Sequence, residues 1–309
     1  MIFLFFVLLV VLLATAFFIH QGFKYTRMIG NIFLSLVYKP AVEPSSSSFG
    51  EKVTILDSAD KEIEALFIEQ KGAAQLAIFC HESGSSKESW EKYAYFLPAL
   101  GFHILSVDFR NGGGDTAGQN TLSQWPTRED VGKLLKVIHW SKKALRPDLR
   151  IVLFGVSNGA DIAFAASFLD PDVKGVVADG LFSMKEIFRD YIRKWAPILV
   201  KPNLFGECYP DWVVNIFTAL GLWYSQKKAG KQFVDVERLL RRKHPPLLMV
   251  HGGEDEYVPG THQRLLEGID SAKERLGRLV VAGAGHNEAV AVARQAYEKK
   301  VTEFLGKLS

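Results

Sequence analysis

Apolar residues follow three patterns along this chain. Residues 1–19 are apolar except Thr15, and no charged side chain occurs before Lys24. In 53–57 and 63–69 apolar and polar residues alternate, which is typical of half-buried antiparallel strands. Later apolar runs are short and nearly continuous, which is typical of strands buried on both faces of a sheet. These runs are 75–80, 102–110, 151–154, 173–178, 246–250 and 279–281.

Segments with a helical pattern separate the predicted strands. They are 89–100, 127–143, 160–169, 261–267 and 288–308. Strands that alternate with helices in this way pair in parallel, and the helices cover both faces of the sheet. The order therefore predicts an α/β fold built on a mostly parallel sheet.

A serine between two glycines stands directly after the run 151–154, in Gly155-Val156-Ser157-Asn158-Gly159. At a strand-to-helix junction, G-x-S-x-G is the pattern of a nucleophile elbow. The serine needs a strained turn, and glycines let neighbouring chain pass close by without a Cβ. The helix that follows directs backbone N–H groups towards developing negative charge. Ser157 is the predicted nucleophile.

Two later loops supply partners for this serine. Asp255 and His286 each follow a predicted strand, at the sheet edge where open α/β folds assemble their sites. Imidazole titrates near neutral pH and can accept the serine proton, while a carboxylate orients the ring and stabilises the imidazolium. Asp255 is the predicted acid, and Glu254 and Asp179 remain alternatives.

The order Ser157, Asp255, His286, with its G-x-S-x-G turn, resembles the α/β-hydrolase superfamily over roughly residues 50–309. Within it, the chain is similar to monoacylglycerol-lipase-like and serine-aminopeptidase-like hydrolases. The resemblance implies an α/β-hydrolase fold with an eight-stranded sheet, a serine nucleophile and no cofactor or metal. It also implies that the aromatic-rich interval 181–234 is a small helical lid.

The same resemblance places the oxyanion hole at two backbone N–H groups, those of Asn158 and Ser83. Ser83 lies in the segment His81-Glu82-Ser83, where the family usually has His-Gly, so that Glu82 replaces a glycine. A carboxylate near an oxyanion opposes catalysis unless it points away. His81 is expected to be structural, because the base of this family comes from the last loop.

The amino-terminal run predicts a transmembrane anchor over residues 1–22. Nineteen apolar residues in a helix span roughly 28 Å, enough to cross a bilayer core. A secretory signal has positive charge before its apolar run, and this chain has no charged side chain there. Ala14-Thr15-Ala16 matches an A-x-A cleavage pattern, so a cleaved signal is the alternative. Lys24, Arg27 and Lys39 follow the run, which favours a cytoplasmic catalytic domain.

Residues 23–49 are then a membrane-proximal segment and linker, before a hydrolase domain over 50–309. Their portion 28–38 is apolar enough to lie along a membrane surface, and the serine run 44–48 has the composition of a flexible linker. The glycine-rich run 111–115 lacks the spacing of a phosphate-binding loop and is interpreted as a tight turn.

Composition narrows the function classes. The chain is 48% hydrophobic and 23% charged, as expected for one globular domain with an anchor, and its net charge of +3 gives no case for nucleic acid. Cys80 lies in a predicted core strand and Cys208 in the predicted lid, so no disulfide is expected. No Cys/His cluster has the spacing of a zinc site.

These features predict a membrane-anchored serine hydrolase that cleaves a carboxylic ester, thioester or lipid acyl ester. Its partners are a small-molecule or lipid acyl substrate and the membrane, and the oligomeric state is not predicted. One alternative is a serine aminopeptidase-like amide hydrolase. The other is a non-catalytic binding protein that keeps the fold and in which Glu82 disrupts the oxyanion hole.

Overall fold

The computed structural model of the protein describes residues 2–36, 49–58, 61–109, 125–146, 148–203, 205–272 and 276–308. The predicted linker 44–48 and the predicted turn 111–115 lie outside these ranges. The chain forms two compact units. We call Met1–Leu36 with Lys185–Lys231 the helical unit, and Val37–Met184 with Gln232–Ser309 the α/β unit.

An eight-stranded sheet forms the centre of the α/β unit, in the order β1-β2-β4-β3-β5-β6-β7-β8. β1 pairs antiparallel with β2 and β2 with β4, whereas all other neighbours are parallel. The predicted mostly parallel sheet is confirmed. The strands are β1 Glu51–Ser58, β2 Lys61–Ile68, β3 Gln75–Cys80, β4 Phe102–Val107, β5 Arg150–Val156, β6 Val173–Asp179, β7 Leu247–Gly252 and β8 Leu276–Val281.

Helices cover both faces of this sheet. The helices of the chain are α1 Ile2–Ser35, α2 Trp90–Tyr93, α3 Arg128–Ala144, α4 Asn158–Ala166, α5 Met184–Leu199, α6 Asp211–Ala229, α7 Val236–Leu240, α8 Gly260–Ile269, α9 Ala289–Val292 and α10 Arg294–Gly306. One apolar core joins the sheet to α3, α4, α7 and α8. The other core joins it to α2, α9 and α10. Strands β3 to β7 are therefore buried on both sides, which explains their continuous apolar runs, whereas the edge strand β8 is largely half-buried or exposed.

Two predicted helices are interrupted. Segment 89–100 consists of a 3-10 turn at Lys87–Ser89, the short α2 and a second 3-10 turn at Pro98–Leu100. α2 ends before Ala94, whose backbone leaves the helical region at φ −119° and ψ 6°. Pro98, which has no N–H to donate, begins the second 3-10 turn. Segment 288–308 divides into α9 and α10 at Ala293, and nothing in the sequence there predicts the division.

The helical unit contains α1, α5 and α6. α1 is long and apolar enough to cross a membrane, or to serve as a signal sequence. It does not end at residue 22 but continues to Ser35, and Gly30 and Phe33 near its end are buried. The expectation that 28–38 lies along a membrane surface stays a prediction, and of its described residues Gly30 and Phe33 are buried.

The predicted lid interval, 181–234, forms α5 and α6. Its described residues include no strand, and Phe233 makes one isolated β-bridge with Thr127 in the α/β unit. Within the helical unit, Phe188 of α5 packs against Phe33 of α1 at a ring separation of 4.2 Å. The role of this interval as a lid stays a prediction.

Candidate active site

Ser157 stands in a strained turn between β5 and α4. Its backbone has φ 51° and ψ −117°, a conformation that non-glycine residues rarely adopt. The Ser157 N–H donates to the carbonyl of Asp179 at 2.7 Å, and the Ser157 carbonyl accepts from Ala160 N–H at 2.9 Å. The two flanking strands and the first turn of α4 thus hold the serine in place.

Both glycines of the motif are required by close backbone contacts. A Cβ on Gly155 would lie 2.2 Å from the carbonyl oxygen of Gly159. A Cβ on Gly159 would lie 2.1 Å from the carbonyl oxygen of Cys80 and 2.6 Å from that of His81. The loop after β3 therefore passes directly over the first turn of α4.

The structure brings Ser157, His286 and Asp255 together in one chain of hydrogen bonds. Ser157 Oγ lies 2.9 Å from His286 Nε2, and His286 Nδ1 lies 2.6 Å from Asp255 Oδ2. Because the carboxylate accepts, Nδ1 carries the proton and Nε2 is left as acceptor for the serine hydroxyl. All three residues are buried, with 5–8% of their surface exposed.

Glycine also lets the loops that carry Asp255 and His286 approach each other. Gly252 ends β7, and a Cβ there would lie 2.3 Å from the carbonyl oxygen of Gly285 and 2.4 Å from that of Ala284. The N–H of Glu254 donates to the Ala284 carbonyl at 2.9 Å. The two loops are therefore joined backbone to backbone.

Asp255, rather than either alternative, contacts His286 Nδ1. Its other oxygen, Oδ1, accepts from the N–H groups of Tyr257 at 2.9 Å and Val258 at 2.8 Å, which orients the carboxylate. The neighbouring Glu254 is exposed. Asp179 is buried, and its Oδ2 accepts from the hydroxyl of Tyr297 at 3.0 Å.

The predicted oxyanion-hole residues lie on the two segments that meet at Gly159. Asn158 begins α4, and Ser83 lies in the loop after β3; both are partly buried. Glu82 is buried, and its two carboxylate oxygens accept from Ser89 Oγ at 2.9 Å and Tyr93 OH at 3.3 Å. Two hydroxyl donors beside α2 thus hold the Glu82 carboxyl group.

His81 has the contacts of a structural residue. Its Nε2 accepts from the N–H of Phe109 at 3.2 Å, so the proton sits on Nδ1, which donates to the carbonyl of Glu82 at 2.8 Å. The ring is neutral in this arrangement and links the loop after β3 to the end of β4. Within the described ranges, no group of three or more His, Cys, Asp or Glu side chains could hold a metal ion.

Comparison with known families gives the identity of this fold. The model of the alpha/beta hydrolase family matches residues 77–298, from β3 into α10, which is more than half of the chain. The chain belongs to this family.

Similarity of this α/β-hydrolase to individual proteins is low. Two uncharacterized proteins of Mycobacterium tuberculosis, from strains H37Rv and CDC 1551, are each 23% identical to it over 219 residues. The alignment covers 70% of this chain and 64% of each mycobacterial protein, so the chain spans less than two thirds of their length.

Solved structures share its fold. The esterase Pf2001 of Pyrococcus furiosus has a TM-score of 0.62 at 19% identity, over 89% of this chain and 98% of that one. The esterase Est2 of Thermogutta terrifontis with propionate bound has a TM-score of 0.61 at 16% identity, over 86% and 97% of the two chains. Identities this low show a common fold alone.

Sequence reasoning missed an ion-pair network beneath the loop after β3. Lys87 is buried, and its Nζ lies 3.0 Å from Glu64 Oε2 and 3.2 Å from Asp108 Oδ2. Burial lowers the pKa of Lys87, but hydrogen bonds and charge attraction from these acids outweigh burial and raise it. Ser106 Oγ donates to the Lys87 carbonyl at 2.5 Å. A lysine after a glycine-serine loop is ordinary surface composition, so the sequence carries no signal for this network.

A second missed feature is the buried pair of Asp179 and Tyr297. Burial raises the pKa of Asp179 to about 7, although the Tyr297 hydroxyl, His286 and Lys92 act in the opposite direction. The negative charge of Glu82 adds to the rise. Tyr297 lies in α10, far from Asp179 in sequence, and no local motif predicts the contact between them.

We expect Gly252→Ala to destabilise the α/β unit and to separate Asp255 from His286, because the added Cβ meets two backbone carbonyls. The free energy of unfolding should fall by roughly 1–3 kcal/mol, as for overpacked sites, and can be measured by urea unfolding in detergent. Gly268→Ala in α8 is the control, since a Cβ there meets nothing within 4 Å. It should leave stability unchanged or raise it. Equal behaviour of the two variants would contradict this packing argument.

We expect Asp179→Asn to change how stability depends on pH. Between about 4, the pKa of an unfolded aspartate, and about 7, the unfolded chain is ionised while the folded carboxyl keeps its proton. Wild-type stability therefore falls as pH rises through this window, by up to about 4 kcal/mol relative to Asp179→Asn, whose amide still accepts from Tyr297.

Urea unfolding of both proteins across this pH window tests the expectation. The control is Asp211→Asn, since Arg193 lowers the pKa of that exposed carboxyl. It should gain no stability over wild type as pH rises through the window. A constant difference between Asp179→Asn and wild type would show that Asp179 ionises normally in the fold.

Proposed function

We propose that this α/β-hydrolase is a serine hydrolase that cleaves carboxylic esters through an acyl-enzyme on Ser157. The observation that carries the proposal is the unbroken chain of hydrogen bonds from Ser157 Oγ through both ring nitrogens of His286 to Asp255. A serine hydroxyl is a weak nucleophile, and an adjacent base oriented by a third group activates it.

In the acylation step, Ser157 Oγ attacks the carbonyl carbon of the ester while its proton passes to His286 Nε2. The carbonyl oxygen becomes an oxyanion, which the N–H groups of Asn158 and Ser83 stabilise. Asp255 stabilises the imidazolium and holds the ring in its tautomer. As the intermediate collapses, the carbon–oxygen bond to the alcohol breaks, and His286 gives its proton to the departing alkoxide.

In the deacylation step, water replaces the alcohol. His286 Nε2 takes a proton from the water, whose oxygen attacks the acyl carbon. The bond to Ser157 then breaks, and the proton on His286 returns to Ser157 Oγ. The products are a carboxylic acid and the regenerated serine, so no cofactor enters the balance.

The choice of ester over amide is supported by the structural relatives, which are named as esterases, one of them with a bound carboxylate, propionate. An alcohol is also an easier leaving group than an amine. Serine aminopeptidase-like hydrolysis is the nearest alternative, and assays on peptides and on acyl esters separate the two.

Membrane attachment completes the proposal. Residues 2–19 of α1 are apolar except Thr15, and each of them is exposed. We propose that this part of α1 crosses a bilayer and stays attached to the hydrolase. The cations Lys24 and Arg27 follow it, which favours a cytoplasmic position for the α/β unit.

We expect a fluorophosphonate probe to label the purified wild-type chain and to label neither Ser157→Ala nor His286→Ala, because the probe phosphonylates only an activated serine. Hydrolysis of p-nitrophenyl esters should fall by about 10⁴-fold or more in both variants. Asp255→Asn should cost roughly 10³- to 10⁴-fold, because it removes the charge that stabilises the imidazolium.

Ser271→Ala is the matched control, an exposed serine outside the site that should keep full labelling and turnover. Circular dichroism of each variant shows that it is folded. A folded wild-type chain that the probe does not label would overturn the hydrolase proposal and favour a non-catalytic binding protein. Labelling with turnover of peptides but not of esters would replace the ester with an amide.

A further inference from the structure

α1 and α6 lie side by side in the helical unit and run in the same direction. Near their carboxyl ends, Ser225 Oγ donates to the Gly30 carbonyl at 3.4 Å. The side-chain oxygen of Asn31 accepts from Tyr224 OH at 3.2 Å and from Lys228 Nζ at 2.7 Å. Residues late in α1 thus meet residues late in α6.

Near the beginning of α6, the facing part of α1 belongs to its apolar half. An apolar groove of about 340 Å³ lies there. Its walls include Phe17, Phe18 and Gln21 of α1, and Phe205, Trp212 and Ile216 of the opposite side. Tyr25 also lines the groove, and its hydroxyl accepts from the N–H of Lys201 at 2.7 Å and donates to the Lys201 carbonyl at 3.0 Å.

The level of these contacts along α1 determines their depth in a membrane. At 1.5 Å per residue, a bilayer core about 30 Å thick takes up about 20 residues, which here extend from Ile2 to about Gln21. The first charged side chains, Lys24 and Arg27, follow at the expected boundary. Phe17 and Phe18 therefore lie about one helical turn inside the core, and the side chains across the groove lie at the membrane interface.

The exposed side chains at this level suit a lipid environment. Trp212 is 62% exposed, Ile216 48% and Phe205 39%, so the protein leaves a group of large apolar side chains uncovered beside the proposed anchor. We call these three residues, two aromatic and one aliphatic, the aromatic patch. Tryptophan and phenylalanine are favoured where protein meets the interfacial region of a bilayer.

Charge points to the same partner. The helical unit, Met1–Leu36 with Lys185–Lys231, contains ten Lys and Arg residues and four Asp and Glu residues, a net charge of +6. The whole chain has a net charge of +3. The positive charge is therefore concentrated in the unit that contains α1, where anionic lipid headgroups attract it.

We propose that the helical unit docks on the lipid bilayer through the aromatic patch, as a second membrane contact beside α1. This inference rests on the anchoring role proposed for α1. The patch inserts into the interfacial region, the groove next to Phe17 and Phe18 is filled by lipid acyl chains, and the exposed cations Lys24, Arg27 and Lys201 meet the headgroups. The beginning of α6 is then held at the membrane surface.

Cys208 offers a native position for a probe. It is exposed and lies between Phe205 and Trp212, whereas Cys80 is buried, and burial raises the pKa of its thiol so that it stays unreactive. The full chain, labelled at Cys208 with the environment-sensitive dye NBD, is reconstituted into vesicles of phosphatidylcholine and phosphatidylglycerol. We expect the dye to emit at a shorter wavelength than the same dye free in buffer. We also expect strong quenching by lipids spin-labelled near the headgroup end of the acyl chain.

The matched control moves the dye from the segment before α6 to the later half of α6. Cys208→Ser/Trp223→Cys places it at a position 54% exposed, eleven residues beyond Trp212 and so roughly 16 Å farther from the membrane. Emission there should be that of an aqueous dye, with little quenching. Ile216→Asp, which adds a charge to the patch, should shift the Cys208 dye towards aqueous emission.

The outcomes separate this inference from the anchor. Extraction of the chain from vesicles by alkaline carbonate would overturn the anchor and the docking together. A chain that resists extraction but carries a Cys208 dye with aqueous emission would overturn the docking alone. Short-wavelength emission without quenching by lipid would mean that protein, such as a second copy, covers the patch, and would also overturn it.

Discussion

The strained turn at Ser157 is the constraint around which the α/β unit is organised. Its positive φ costs roughly 1–3 kcal/mol and persists only where the surrounding structure holds it. β5 and β6 hold it from one side, through the hydrogen bond from the Ser157 N–H to the Asp179 carbonyl, and the buried helix α4 holds it from the other. Gly159 then brings the loop after β3 against the same turn, so one local geometry positions the hydroxyl and both candidate oxyanion donors.

Three buried carboxyl groups lie near this turn, and their hydrogen-bond partners separate their roles. Asp255 has two backbone donors and the imidazole of His286, which orient it towards Nδ1. Asp179 has one phenol donor, from Tyr297, and burial raises its pKa to about 7. Glu82 is held by Ser89 and Tyr93. Carboxyl groups of the same chemical type are thus given different directions by their donors.

The apolar amino terminus is part of a folded unit. α1 continues from its exposed half into a half whose Gly30 and Phe33 are buried against α5 and α6. Gly30 allows the close approach, since a Cβ there would lie 2.5 Å from the ring of Tyr224. Removal of α1 would therefore expose Phe188 of α5. Within the helical unit, α1 therefore packs against α5 and α6.

The sequence alone determined the features that depend on local pattern. Period-two and continuous apolar runs predict the eight strands. Gly155-Val156-Ser157-Asn158-Gly159 predicts the turn, because only glycine fits the close backbone contacts at its first and last positions. Tertiary structure alone decided which carboxylate meets His286, because Asp179 ends β6 while Glu254 and Asp255 follow β7, and local pattern does not give the direction of these side chains. It also decided the partners Tyr297 and Lys87, and the packing of α1 on α6. These contacts join residues far apart in sequence, and only the folded chain brings them within reach.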